Sequence, residues 1–551
     1  MRPTEKDQNE TQDEHRHHYG YKRDLRTAMP QIIAVNVKNL LLLGYGMTLG
    51  FPTILIPAVS QPRPDEVLRL DTSQISWIGS INLIVVPLGC ALSGAVTTPM
   101  GRRRAMQAVN LPFLLAWLLF HFSGTAGHLY GALFLTGLAG GLLEAPVLTY
   151  VAEITQPHLR GALAATSSMC IIIGVFTQFL FGTLLYWRSV ALVNITVTVL
   201  AVLALFFVPE SPHWLVSRQR HAEARKSLQW LRGWTTPQAV EEELKDIQVL
   251  FKRKKVGNNE VEDTWSEKVS QYLHRSFLVP FSLVSYSFFV GHFSGMTTLQ
   301  TYAVSIFQSL EAPMDKYNAT LVLGLVQIAG TASCVVLVRV VGKRVLTLIS
   351  SAGAATCCLL LAGYDVYIQM QDKPYGGVMV NGLADNSSTL GLNAHDDAES
   401  VKNPYSWIPM TLLFFLAFIT HTGIRMLPWI LIGEVFSAKT RAGAAGLASA
   451  VGYVFGFVTN KVYIGMVDLL SIWGTYGFYG LICLTGCVVF YFILPETEGK
   501  KLNDIENHFA GVKKLSNEVY RSKKRKNLEI SKMREIKGAV NQSFEGDNTN
   551  L

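Results

Sequence analysis

The stretch GIRMLPWILIGEVFSAKTR, Gly423–Arg441, reads as an apolar helix that ends in charge, with an arginine, Arg425, set inside the apolar run. Its closing pattern is a glutamate followed seven residues later by an arginine, Glu434 and Arg441, and the same spacing recurs in EITQPHLRG as Glu153 and Arg160. A second pair of sequences behaves alike: MGRRRAM (Met100–Met106) matches VGKRVLT (Val341–Thr347). The chain therefore reads as one unit written twice.

Working outward, the 551 residues are 49% hydrophobic and 16% charged, where a soluble protein carries about 25% charged residues. Apolar runs of about 20 residues recur, the length a helix needs to cross a bilayer. Twelve spans are expected, at 32–58, 74–98, 105–124, 128–151, 162–185 and 189–208, then 277–307, 319–341, 345–369, 405–432, 443–463 and 469–494. The expected fold is an all-α membrane protein of twelve transmembrane helices in two six-helix halves. The expected organisation is a tail, 1–30, a first half, 31–208, a linker with amphipathic helices, 209–275, a second half, 276–497, and a basic tail, 498–551.

Charge gives the orientation. GRRR (Gly101–Arg104), Arg160, GKR (Gly342–Arg344) and SAKTR (Ser437–Arg441) fall on the side of both tails, which the positive-inside rule makes cytoplasmic. The net charge of +8 is read as anchoring to anionic lipid, with no nucleic-acid partner. Sequons at Asn318 and Asn386 fall in opposite loops and are candidate glycosylation sites. The seven cysteines lie in apolar runs and read as small buried hydrophobes. No phosphate loop, metal triad or nucleophile arrangement is present, so no enzyme, cofactor or metal is expected. GYGMTLG (Gly44–Gly50) lies inside a span and reads as helix packing.

PESPHWLVSRQRHAEARKSLQWLRG after the sixth span and PETEGK after the twelfth resemble the sugar porter branch of the major facilitator superfamily. PVLTYVAEITQPHLRGALAA and LPWILIGEVFSAKTRAGAAG look most like the insect facilitated trehalose transporter group. The resemblance implies transport of a sugar or sugar-like solute by alternating access, through facilitated diffusion at the plasma membrane, with lipid as the other partner. It also implies an inner-gate charge clasp where the halves meet, from Arg102, Arg103, Glu153, Arg160, Glu210, Arg344, Glu434 and Arg441. Substrate positions implied by the resemblance are Ser168, His292, Thr297, Tyr302, Gln327 and Trp429. The chain departs from the family where GHFSGMT (Gly291–Thr297) replaces an amide-rich motif, and where Thr98, Arg339 and Ala132 replace family charges. Two other readings stand beside sugar transport: an organic ion as solute, or a nutrient sensor on the same fold.

Arg425 raises a final expectation. It lies nine residues before Glu434, and Glu144 lies nine before Glu153. An isolated charge in a span costs several kcal/mol, so an ion pair between Glu144 and Arg425 across the halves is expected. The alternative is that Arg425 meets carbonyls or water and Glu144 packs within its own half.

Overall fold

The computed structural model describes residues 25–61, 64, 66, 68–258, 270, 272–310, 313–371, 405–437, 440–500, 502–512 and 514–515. Among them, ten helical segments are long and apolar enough to cross a membrane. The last of these, Gly443–Ile493, contains two crossings. Gly443 packs against Tyr272 while Glu496, just past the far end of the segment, meets Lys343 on the same side. The chain must therefore reverse between them, and it does so at Ser471, where φ is 62°. The twelfth crossing is Arg102–His121, whose basic first turn dilutes its hydropathy but whose 20 residues still span about 30 Å.

In chain order the first half contains α1 (Leu25–Ser60), α2 (Thr72–Ile78), α3 (Ile81–Met100), α4 (Arg102–His121), α5 (Ala126–Leu142), α6 (Glu144–Ile154), α7 (Pro157–Leu184) and α8 (Trp187–Phe206). The linker forms α9 (Pro212–Ser217), α10 (His221–Leu231) and α11 (Glu241–Asn258). The second half contains α12 (Arg275–His292), α13 (Met296–Ser309), α14 (Lys316–Val341), α15 (Lys343–Gln371), α16 (Trp407–Thr422), α17 (Leu427–Ile432) and α18 (Arg441–Ile493), followed by α19 (Leu502–Ala510).

Four spans expected to be continuous are interrupted. The second is interrupted at 79–80 between α2 and α3, the fourth at Leu143, which keeps helical φ and ψ, between α5 and α6, and the seventh at 293–295, where Gly295 has φ 82°. The tenth breaks at 423–426 between α16 and α17. Apolar periodicity runs through each break, which is why the sequence hides them. Broken helices inside a membrane protein mark backbone that lines a cavity, because lipid cannot satisfy freed peptide groups.

The hydrophobic cores reveal how the halves sit. We call the side on which α1 begins and α18 ends the tail side, and the other the far side. At the far side one core joins both halves, with Phe51, Leu55, Trp117 and Ala132 continuous with Met296, Leu299, Tyr302 and Tyr463. On the tail side each half has its own core. Val35, Leu41, Met106, Tyr150 and Leu205 belong to one, and Phe277, Val284, Leu431, Phe436 and Phe490 to the other. The molecule is sealed on the far side and parted on the tail side.

Close packing inside a half follows from small residues. An added Cβ at Gly46 of α1 would lie 2.0 Å from the Ile171 carbonyl oxygen, so GYGMTLG lets α1 meet α7 backbone to backbone. In the linker, the apolar face of α10 turns onto protein: Leu228 and Leu231 are fully buried. Arg232 holds it there, bonding the Ile154 carbonyl at 3.1 Å and Glu243 at 2.6 Å.

Candidate functional site

Two charged clusters sit on the tail side, one in each half. Arg102 pairs with Glu153 at 2.8 Å, and Ser211 donates a hydrogen bond to the same carboxylate. Glu210 accepts the backbone N–H groups of Arg102 and Arg103 at 2.9 and 3.0 Å, capping α4. In the second half Lys343 pairs with Glu434 at 2.7 Å, and Thr497 donates to that carboxylate at 2.8 Å. Glu496 accepts the N–H groups of Lys343 and Arg344 at 3.2 and 3.1 Å, capping α15. Glu498 also reaches Lys343, at 2.8 Å.

Glycine makes this turn possible. Gly101 and Gly342 have φ 91° and 92°, and a Cβ on Gly101 would stand 2.6 Å from Glu210 Oε2. PESP and PETE are thus repeat-equivalent caps.

The expected clasp is corrected in three respects. Its members do not gather between the halves but form two clusters, each tying elements of its own half. The cation of the second cluster is Lys343, not Arg344, whose guanidinium bonds the Tyr491 carbonyl at 2.6 Å. Arg160 bonds the Thr155 carbonyl at 3.4 Å and pairs with no carboxylate within 4 Å among the described residues, so the seven-residue spacing from Glu153 is not an ion pair. The Arg441 side chain and Asn386 lie outside the described residues. Aligning GRRR with GKRV on the glycine would have put Lys343 opposite Arg102.

Deeper in, the Arg425 guanidinium donates to Thr297 Oγ1 at 2.9 Å, and His292 Nδ1 meets the same hydroxyl at 3.1 Å. Phe288 stacks on His292 at 6.3 Å and takes Trp429 edge-on at 5.0 Å; Trp429 in turn packs on Tyr453 at 5.8 Å. Trp429 remains 38% exposed, so this aromatic wall has an open face. Gln327 on α14 is fully buried, and both its amide atoms lack a hydrogen-bond partner among the described residues. Orphaned donors and acceptors of this kind are what a hydroxyl-rich solute satisfies. Ser168 is half-buried on α7, where its neighbours Ser167 and Thr166 accept from Lys38 and Asn39 at 2.6 and 2.8 Å. Lys38, fully buried in the first span, was missed in the sequence because one lysine near a span end reads as an anchor.

The expected Glu144–Arg425 ion pair is not made. Glu144 stands beside Tyr453, and no carboxylate lies within 4 Å of Arg425 among the described residues. The reason is local. Each side chain is met by a hydroxyl on another element instead: Tyr453 of α18 beside Glu144, and Thr297 of α13 at 2.9 Å from the Arg425 guanidinium.

Tyr302 falls elsewhere. It stacks on Tyr463 at 4.8 Å and donates to the Asn460 carbonyl at 3.3 Å, within the far-side seal. Around it Asn460 donates to the Gly79 carbonyl at 2.8 Å, Ser76 to the Lys461 carbonyl at 2.9 Å and Thr53 to the Gln300 carbonyl at 2.7 Å. Each of these bonds joins the two halves. Asn318 sits in the first turn of α14, where its N–H donates to Asp315 at 3.2 Å.

Twelve crossings in two halves, sealed on one face and parted on the other around broken helices, define a transporter of the major facilitator fold. The chain matches the family described as Sugar (and other) transporter over residues 6–509, and it belongs to that family. It is 26% identical to a facilitated trehalose transporter of Bombyx mori over 80% of each chain. It is 29% identical to that of Drosophila virilis, over 80% of this chain but 45% of the longer fly protein. Among solved structures, it resembles the xylose transporter XylE of E. coli in a partially occluded inward-open conformation. There the TM-score is 0.63 at 17% identity, over 86% of this chain and 99% of the other. At that identity the likeness shows the fold.

Proposed function

We propose that the chain carries a sugar or sugar-like small solute across the plasma membrane by alternating access, as facilitated diffusion, with both termini in the cytoplasm. One observation carries the reading: a single core shared by the halves on the far side against two separate cores on the tail side. Such a molecule can exchange its seal from one face to the other by rocking two rigid halves. The charge clusters within each half fit this, since they stiffen the parts that move.

The trehalose and xylose transport named for its relatives supports a sugar-class solute, bordered by Gln327 and Trp429. Basic residues at Arg102–Arg104 and Lys343–Arg344 lie on the tail side, which supports a cytoplasmic assignment for it. Asn318 would then lie at the outer surface. The first span, Leu25–Ser60, contains no aspartate or glutamate to carry a proton, which favours facilitation.

The test is uptake of a panel of labelled sugars and polyols in transporter-null cells. Saturable uptake that exchanges in both directions and needs no proton gradient is expected. A chain that reaches the surface yet moves no solute would instead fit a sensor.

A further inference from the structure

We propose that the solute bears an anionic oxygen group, a carboxylate or a phosphate, and that Arg425 is the residue that takes it; this rests on the transport reading above. A guanidinium stays protonated at any working pH, so Arg425 is a permanent cation within the tenth span. Such a charge is costly in a membrane and is normally paired or turned to a water-filled cavity. Here no carboxylate lies within 4 Å among the described residues, and of its five N–H donors one is used by a side chain, the Thr297 hydroxyl at 2.9 Å.

The groups that meet it among the described residues carry no negative charge either. His292 shares the Thr297 hydroxyl, and His421 lies within electrostatic reach of Arg425. His421 is fully buried, and its Nε2 has no hydrogen-bond partner among the described residues. Across the halves Lys38 is fully buried too, with Ser167 Oγ as its side-chain partner at 2.6 Å. Glu144 stands beside Tyr453 and offsets neither cation. The Thr297 hydroxyl carries no charge, and it leaves the guanidinium's remaining donors open. An anion entering from the parted tail side supplies the counter-charge, through bonds about twice as strong as those to a neutral hydroxyl.

Two further groups of the second half bear on what else the solute carries. Trp429, four residues on, offers an open aromatic face, and the buried Gln327 amide has a free donor and a free acceptor. An inorganic ion has no use for either group. A ring with hydroxyls and one acidic substituent uses all three, which describes a sugar acid or a sugar phosphate.

The experiment is uptake by the purified full-length chain in proteoliposomes, with labelled D-glucuronate and glucose 6-phosphate compared against D-glucose and trehalose. We expect one acid to have a half-saturating concentration at least tenfold below that of glucose, and its uptake to respond to an imposed membrane potential. Which acid wins separates carboxylate from phosphate. Arg425→Gln should remove the tenfold preference, and Arg425→Lys should keep part of it. Neutral sugars moving with no advantage to either acid overturns the proposal and leaves the transport reading standing. No uptake of any of the four overturns both. An acid preference unchanged in Arg425→Gln removes Arg425 from the role. If that variant does not fold, the wild-type ranking and its potential dependence still decide.

Discussion

Lys343 lies 2.7 Å from Glu434, and the equivalent atoms in the first half, on Arg102 and Glu153, lie 2.8 Å apart. The two ion pairs have the same neighbours at the same places in both halves, so each ties the elements of its own half in the same way. The Lys343 side chain is 5% exposed, so losing Glu434 strands a buried cation with Glu498 alone. Glu434→Gln is expected to lower stability by about 2 kcal/mol and to slow uptake. Surface biotinylation beside uptake separates the two effects, and unchanged kinetics would remove the cluster from gating.

The far-side seal makes a second prediction. Asn460 bonds both the Gly79 carbonyl and Thr301, so it stitches the first half to the second at one point. Asn460→Ala should weaken the sealed state and shift the population toward one open on the far side. In a chain whose seven native cysteines are replaced, a cysteine at the fully buried Ala303 should then react faster with an impermeant thiol reagent. Equal reaction rates with and without Asn460→Ala would show that this bond does not hold the seal.

Gln327 separates stability from function. Its amide is buried with neither atom bonded, a cost of about 1–3 kcal/mol that an apolar side chain of similar volume would not carry. Gln327→Leu should therefore raise thermal stability while uptake falls at least tenfold. A variant that is more stable and equally active would mean that the amide does not border the solute.

The loop between the first two spans has its own acid sensitivity. Burial pushes the Glu66 carboxyl up, but hydrogen bonds from Arg188 and Tyr186, with the Arg188 charge, outweigh it and hold the group below the usual carboxylate range. A carboxyl lowered in the folded state stabilises fully above its unfolded value of about 4.3, and that contribution is lost as pH falls through the lowered folded value. Thermal unfolding of the detergent-purified protein should thus lose stability from about pH 5 downward, less steeply in Arg188→Gln. Parallel curves for the two proteins would contradict this.

What the sequence made legible was whatever repeats or has a period. Span count, the two halves and the Glu153 and Glu434 sites follow from hydropathy and from motifs quoted twice. The partners of those glutamates did not, because Arg102 and Lys343 are brought to them by a turn at Gly101 and Gly342, while the seven-residue spacing to Arg160 suggested a nearer cation. The far-side role of Tyr302 was hidden for a related reason. Its neighbours Tyr463 and Asn460 are more than 150 residues away, and only the packing of α13 on α18 brings them together.

The separate partners of Glu144 and Arg425 decide the last prediction. The two were expected to pair because each needs a counter-charge, and each meets a hydroxyl instead, Tyr453 beside Glu144 and Thr297 beside Arg425. Glu144→Arg puts a cation beside Tyr453, and Arg425→Glu puts an anion beside Thr297; neither new charge gains a partner of opposite sign. If the two residues acted as an ion pair, the double swap would restore transport toward wild type. With independent charges, the double variant should be no better than the poorer single variant, and its thermal stability should fall by about the sum of the two single losses. Uptake and unfolding temperature of the four proteins, each normalised to surface amount, measure this directly. Recovery of either quantity in the double swap would restore the ion pair and displace the account of two separate hydroxyl partners.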